Sequence, residues 1–211
     1  MLFIFDWDGT ISDSADKIVL CMQQAAVDLD LEPRTELEIK NIIGLGLPEA
    51  MLTLYPGLPA EILERYMTGY SAHYIKRDQV PSPFFDGAKA AMDQLKAQGY
   101  KLAVATGKSR RGLNRVLDRL DMSDYFHATR CADETASKPS PLMLHQILEE
   151  LSVDVSQAVM VGDTEWDLEM ANQANMRKIA VSYGAHETDR LHLSKPDLMM
   201  DHFKQILDWR F

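Results

Sequence analysis

Cysteine is scarce in this chain of 211 residues: Cys21 and Cys131 stand 110 positions apart, with no CxxC and no Cys/His pair at ligand spacing. That spacing argues against a disulfide scaffold or a structural zinc site. The six histidines are scattered and form no HExxH. No apolar run reaches the ~18 residues that a membrane-spanning helix needs. Residues 1–5 are apolar but run directly into Asp6, without a basic leader or a cleavage site, and so do not read as a signal peptide. Positive charge is in deficit, with 22 Lys and Arg against 32 Asp and Glu and a net charge of −10. A nucleic-acid binder normally presents a basic face, so nucleic acid is not the expected partner. Internal repeats and low-complexity tracts are absent. The expectation is a soluble, cytoplasmic protein with neither nucleic acid nor membrane as partner; nothing in the pattern sets an oligomeric state.

What is present is enough apolar material, 46% of residues, to build a sizeable core. The length suits one large domain, or one domain carrying a smaller insert. The acidic balance is compatible with phosphate chemistry, because carboxylates gathered round a divalent cation leave a chain acidic on average.

Short apolar runs ending in a polar or glycine-containing turn recur along the chain. Residues 2–5 stop at Asp6, 101–105 (KLAVA) at Thr106-Gly107, 157–161 (QAVMV) at Gly162-Asp163, and 178–182 (KIAVS) near Gly184. Such runs read as buried strands of a parallel sheet. Helical patterns fill 88–97, 141–151 and 164–174, and the alternation predicts an α/β fold, a Rossmann-like parallel sheet. Residues 15–82 break the alternation. They carry helical patterns at 15–29, 36–43, 48–54 and 60–75, no convincing strand, and a terminal Pro81-Ser82-Pro83 that suits a hinge. The predicted division is an α/β core over 1–14 and 83–211 with an inserted all-helical domain over 15–82.

In an open parallel sheet, ligands bind beyond the carboxyl ends of the strands. Those ends offer Asp6-Trp7-Asp8-Gly9-Thr10, then Thr106-Gly107-Lys108-Ser109, then Gly162-Asp163 with Asp167 four residues on; Lys138 opens a helix between the last two. Carboxylates, a hydroxyl and a lysine converging on one edge suit phosphoryl transfer. One carboxylate can attack phosphorus and a second can protonate the leaving oxygen. A divalent cation such as Mg²⁺ offsets repulsion between carboxylate and phosphate, while the lysine and hydroxyl hold the non-bridging oxygens. The competing readings are an ordinary acidic turn for Asp6 and Asp8 and a helix-capping role for Asp167. For Lys108 they are a surface charge, favoured, or a minor phosphate contact. Thr106-Gly107-Lys108-Ser109 is not a P-loop, since Leu102 stands where that motif needs its first glycine.

These residues resemble four motifs of the haloacid dehalogenase-like hydrolases. They are D-x-D-G-T after an apolar strand (3–10), a strand ending in Thr (102–106), Lys138-Pro139, and a strand followed by G-D-x-x-x-D (159–167). Their order, with a helical insert after the first, resembles the phosphoglycolate phosphatase-like subfamily and its helical cap. The resemblance implies Asp6 as nucleophile and Asp8 as general acid/base. It implies Mg²⁺ held by Asp6, the Asp8 carbonyl and Asp163, with Asp167 nearby, and a phosphoryl group bound by Thr106, Lys138 and the backbone N–H groups of Trp7, Asp8 and Gly107. Thr10 would orient Asp8. Asp8 itself favours phosphate over halide chemistry, because a halide needs no proton. Phosphonate cleavage in this family employs a cap lysine, and no motif singles out Lys17, Lys40 or Lys76. A receiver domain fits poorly in length and motif order.

The expected activity is hydrolysis of a small phosphorylated metabolite such as phosphoglycolate; the alternatives are a pyrophosphatase, a sugar-phosphate mutase, or a silent regulatory protein. Ile43-Gly44-Leu45-Gly46-Leu47 is the cap segment expected to face the cleft, or else a plain interhelical turn. Arg34 is a candidate for binding a substrate carboxylate.

Overall fold

The computed structural model describes residues 1–210. Six strands, β1 (Leu2–Phe5), β2 (Lys101–Thr106), β3 (Ala128–Cys131), β4 (Ala158–Gly162), β5 (Arg177–Val181) and β6 (Leu198–Met200), form one parallel sheet. Their order is β3-β2-β1-β4-β5-β6, so β1 lies at the centre where the winding reverses. Side chains of β1 alternate between two cores, as a pleated strand requires. Phe3 and Phe5 pack on one face with Met92 and Leu95 of α5 (Ala88–Ala97) and with Leu113 of α6 (Arg110–Arg119). Leu2 and Ile4 pack on the other with Met143 and Ile147 of α7 (Leu142–Leu151) and Met170 of α8 (Glu165–Gln173). A short α9 (Thr188–Leu193) covers the far end.

Between β1 and α5 the chain forms four helices: α1 (Ala15–Val27), α2 (Glu36–Lys40), α3 (Leu47–Leu54) and α4 (Ala60–Arg77). They bury their own apolar cluster, centred on Met22, Ile39, Met51 and Tyr66. The fold is a parallel α/β sheet with an inserted helical cap. The strands leading into and out of the insert run side by side, with Asp13 N donating to Pro83 O (2.9 Å) and Phe85 N to Ile11 O (3.0 Å). Next to this junction the buried Asp78 receives Lys17 at 3.1 Å and Arg115 at 3.3 Å, tying the cap to α6.

Several elements were not anticipated. β3 reads Ala-Thr-Arg-Cys, and its two central residues are only half-buried at the sheet edge, so it lacks the apolar run of an interior strand. β6 is three residues long at the opposite edge. The helices α6 and α9 were also missed; α6 is dominated by Arg, Asn and Asp, with Leu113, Val116 and Leu117 alone buried. Asn175, just after α8, adopts φ 51°, the left-handed conformation that asparagine tolerates.

Candidate active site

The carboxyl ends of β1, β2 and β4 bring the expected residues together. Asp6 follows β1, and its carboxylate is buried. Lys138 Nζ lies 2.6 Å from Asp6 Oδ1 and 2.6 Å from Asp167 Oδ1, and both partners are out of solvent. Asp163, just beyond β4, accepts hydrogen bonds from Thr10 Oγ1 (2.7 Å) and from Ala185 N (2.8 Å). Carboxylate oxygens of Asp6, Asp163 and Asp167 all lie within 4.8 Å of one another.

Asp167 serves the helix and the site with different oxygens. Its Oδ2 accepts from Thr164 N (3.1 Å) and Thr164 Oγ1 (2.7 Å), capping α8, while Oδ1 faces Lys138. The capping reading therefore holds for one oxygen only. Thr10 was expected to orient Asp8, and the structure corrects this: Thr10 holds Asp163, and Ser14 Oγ donates to Asp8 Oδ1 at 2.6 Å. Gly9 has φ +83°, and a Cβ there would collide with the Asp163 carboxylate, so the turn after β1 closes on β4 only with glycine.

Lys108 is a second correction. It is not a surface charge: its Nζ lies 2.9 Å from Asp8 Oδ2, and it donates to the Tyr74 hydroxyl of the cap at 3.3 Å. Sequence reasoning missed this role, and also Ser14, because a lysine or serine in a polar loop has no periodicity to mark it. Arg34 does not reach the site. It stacks on Tyr55, 4.5 Å from the ring centre, and pairs with Glu38. The cleft-facing expectation for 43–47 holds. The carbonyls of Gly44 and Leu45 lie so near Gly107 that a Cβ there would come within 2.6 Å of both, and Gly46 N donates to Ser137 Oγ at 2.8 Å.

The electrostatics follow from three acids sharing one lysine. Burial pushes the Asp6 carboxyl well above its ordinary range; Lys138 opposes that, and Asp167 and Asp163 add to it. Asp163 is pushed up to about 7 by burial and then by Asp167. Burial alone would lower the Lys138 ammonium, but Asp167 and Asp6 outweigh it and hold it above the usual lysine range. Asp6 Oδ2 is buried and receives no hydrogen bond. A surplus of hard, buried carboxylate oxygens with an unused acceptor suits a small oxygen-seeking divalent cation and an incoming phosphoryl group. A cavity of about 180 Å³ opens onto Asp6, Asp8, Thr106 and Gly107, and continues into the cap. Among the described residues, no helix is long and apolar enough to cross a membrane.

The chain is similar in sequence and in fold to known proteins. The "Probable phosphatase IndB" of Dickeya dadantii is 35% identical over 98% of this chain and 91% of its own length. A phosphoglycolate phosphatase of Aquifex aeolicus is 30% identical over 87% of this chain and 85% of its own. The crystal structure of a hydrolase from Pseudomonas syringae superposes with a TM-score of 0.89 at 20% identity, covering 99% of this chain and 96% of that one, a likeness of fold. The Haloacid dehalogenase-like hydrolase family matches residues 3–181. With its aspartate cluster at the sheet edge and its helical cap, the chain belongs to the haloacid dehalogenase-like hydrolases, in the phosphoglycolate phosphatase-like branch, as a phosphoric monoester hydrolase.

Proposed function

We propose that this protein is a Mg²⁺-dependent phosphatase that hydrolyses a small, cytoplasmic phosphomonoester, phosphoglycolate being the reference compound, through an aspartyl-phosphate on Asp6. The observation that carries the reading is the buried Asp6 Oδ2, an acceptor without a donor, set beside Lys138 at the end of the central strand. In the first step an Asp6 oxygen forms a bond to phosphorus as the bond from phosphorus to the ester oxygen breaks. Asp8 gives its proton to the departing oxygen. In the second step Asp8 takes a proton from water, whose oxygen attacks phosphorus and releases Asp6. Thr106, Lys138 and the N–H groups of Trp7 and Gly107 hold the non-bridging oxygens. Asp6, the Asp8 carbonyl and Asp163, with Asp167 close by, would hold the Mg²⁺, which would supply the positive charge that lets a carboxylate approach a phosphate.

The working division is a core of residues 1–14 and 83–211 and a cap of 15–82 that excludes water when closed. Retention of Asp6, Asp8, Lys138 and Asp163 together weighs against a silent regulatory protein. The test is phosphate release from an aryl phosphate with and without Mg²⁺, followed by acid-quench trapping of the phosphoenzyme. Activity that depends on Mg²⁺ and disappears in Asp6→Asn is expected; retained turnover in Asp6→Asn would overturn the assignment.

A further inference from the structure

The cavity above Asp6 carries information about the leaving group. At about 180 Å³ it has room for roughly six waters at about 30 Å³ each, the share a molecule takes in the liquid. Its cap side is apolar: Ile18 and Met22 from α1, Ile43 and Leu47 at the turn into α3, Ala50 from α3, and Ile75 from α4. Tyr70 adds an aromatic face; its ring centre is 5.9 Å from that of Tyr74, whose own ring is buried and has Lys108 Nζ 4.8 Å from its centre. Among the described residues, the Tyr70 hydroxyl has no hydrogen-bond partner, so the wall also offers a polar group to a ligand.

Two of the three cations in that wall are committed to carboxylates. Lys108 pairs with Asp8 at 2.9 Å, and Arg115 with the buried Asp78 at 3.3 Å. Arg111 alone forms no ion pair among the described residues, and it is exposed. A small anionic leaving group such as glycolate would enter an apolar chamber without a free buried counter-charge, at a desolvation cost. An apolar, ring-bearing group would instead bury its faces against Tyr70 and the cap aliphatics.

We infer that the physiological substrate is a phosphomonoester of a ring-bearing alcohol, its ring lodged between the Tyr70 face and the Ile43–Leu47 side of the cap. The inference rests on the phosphatase reading for its phosphate end, and concerns the leaving group alone.

The test compares benzyl phosphate, a nucleoside 5′-monophosphate and phosphoglycolate, all of which leave through an alkyl oxygen. The expected result is a kcat/KM about tenfold or more higher for at least one ring-bearing ester than for phosphoglycolate. The two ring compounds distinguish an aromatic from a nucleoside source. Ile75→Trp, at a cap position that is already partly exposed, and Ala50→Leu fill the chamber and should lower that ratio about tenfold. Phosphoglycolate preferred in the parent, or a ratio unmoved by both substitutions, would overturn the inference. Calorimetric binding of the same three compounds to Asp6→Asn is the second arm. If no ester is turned over, the phosphatase reading fails; tighter binding of a ring-bearing ester than of phosphoglycolate then still supports the chamber assignment, and equal or weaker binding refutes it.

Discussion

Lys108 Nζ lies 2.9 Å from Asp8 Oδ2, and the same ammonium donates to the Tyr74 hydroxyl of the cap. With Ser14 on the other oxygen, Asp8 is held at both ends of its carboxylate, one of them through a residue that also touches the cap. Substituting Asp8→Asn should lower kcat on an alkyl phosphate by about 10²–10⁴-fold, as expected for loss of a general acid. Substituting Lys108→Met should cost about ten- to a hundredfold through misplacement of Asp8. In both variants single-turnover phosphoenzyme formation from p-nitrophenyl phosphate, whose leaving oxygen needs no proton, should suffer far less than that from the alkyl phosphate, whereas the later hydrolysis of the phosphoenzyme is common to both. Equal losses in phosphoenzyme formation from the two substrates would contradict the role given to Asp8 as general acid.

Lys138 pairs with two buried carboxylates at once. Lys138→Met keeps the stem and removes the charge, leaving Asp6, Asp163 and Asp167 facing one another. Removing one partner from a buried ionic group costs about 3–5 kcal/mol. Urea unfolding without divalent metal should register that loss, and saturating Mg²⁺ should restore part of it. A variant as stable as the parent would show that the lysine is not the principal counter-charge.

Asp163, pushed up to about 7 by burial and Asp167, makes metal binding compete with a proton. A raised carboxyl pKa means the group is protonated below about pH 7 and free to bind a cation above it. Mg²⁺ at a hundredfold excess over its Kd should stabilise the fold by about 2.7 kcal/mol. That increment, read as the difference in Tm with and without Mg²⁺, should be largest near pH 8 and shrink as pH falls to 6. An increment independent of pH would place the metal away from Asp163.

His186 is buried beside Trp166, and its Nδ1 accepts from Glu165 N at 3.1 Å. Burial, then Arg190, lowers its pKa from the usual 6.5 to about 4. Between those values the unfolded chain holds a proton that the native state refuses, so stability is full above about 6.5 and declines as pH falls towards 4. The contribution is up to about 3 kcal/mol at 1.36 kcal/mol per unit. Denaturant unfolding from pH 7 to 4.5 should therefore decline less steeply in His186→Gln than in the parent. Parallel curves would remove His186 as the cause.

Much of the architecture was legible along the chain. β1 and α5 fall on the residues that the pattern picked out, since β1 is buried on both sheet faces and α5 repeats its apolar positions every three or four residues. The edge strands were not legible, because a strand with one neighbour and a half-exposed surface need not be apolar: Thr129 and Arg130 occupy the middle of β3. The four acids were found by their position after strands, and Lys138 by its place at the opening of a helix between two of them. Lys108 and Ser14 were not, because what distinguishes them is proximity to Asp8 across a fold, not spacing along the chain.

The sequence by itself determined the family, the α/β plan and which residues stand at strand ends, because backbone periodicity and motif order are local and survive without a third dimension. Only the tertiary structure decided which charges meet. Placing β1 between β2 and β4 brings residues 6, 138, 163 and 167 into one buried cluster, and seating the cap on Gly107 puts Tyr74 against Lys108. Charge pairing and burial fall off over a few ångströms, and those distances are set by packing between segments well separated along the chain.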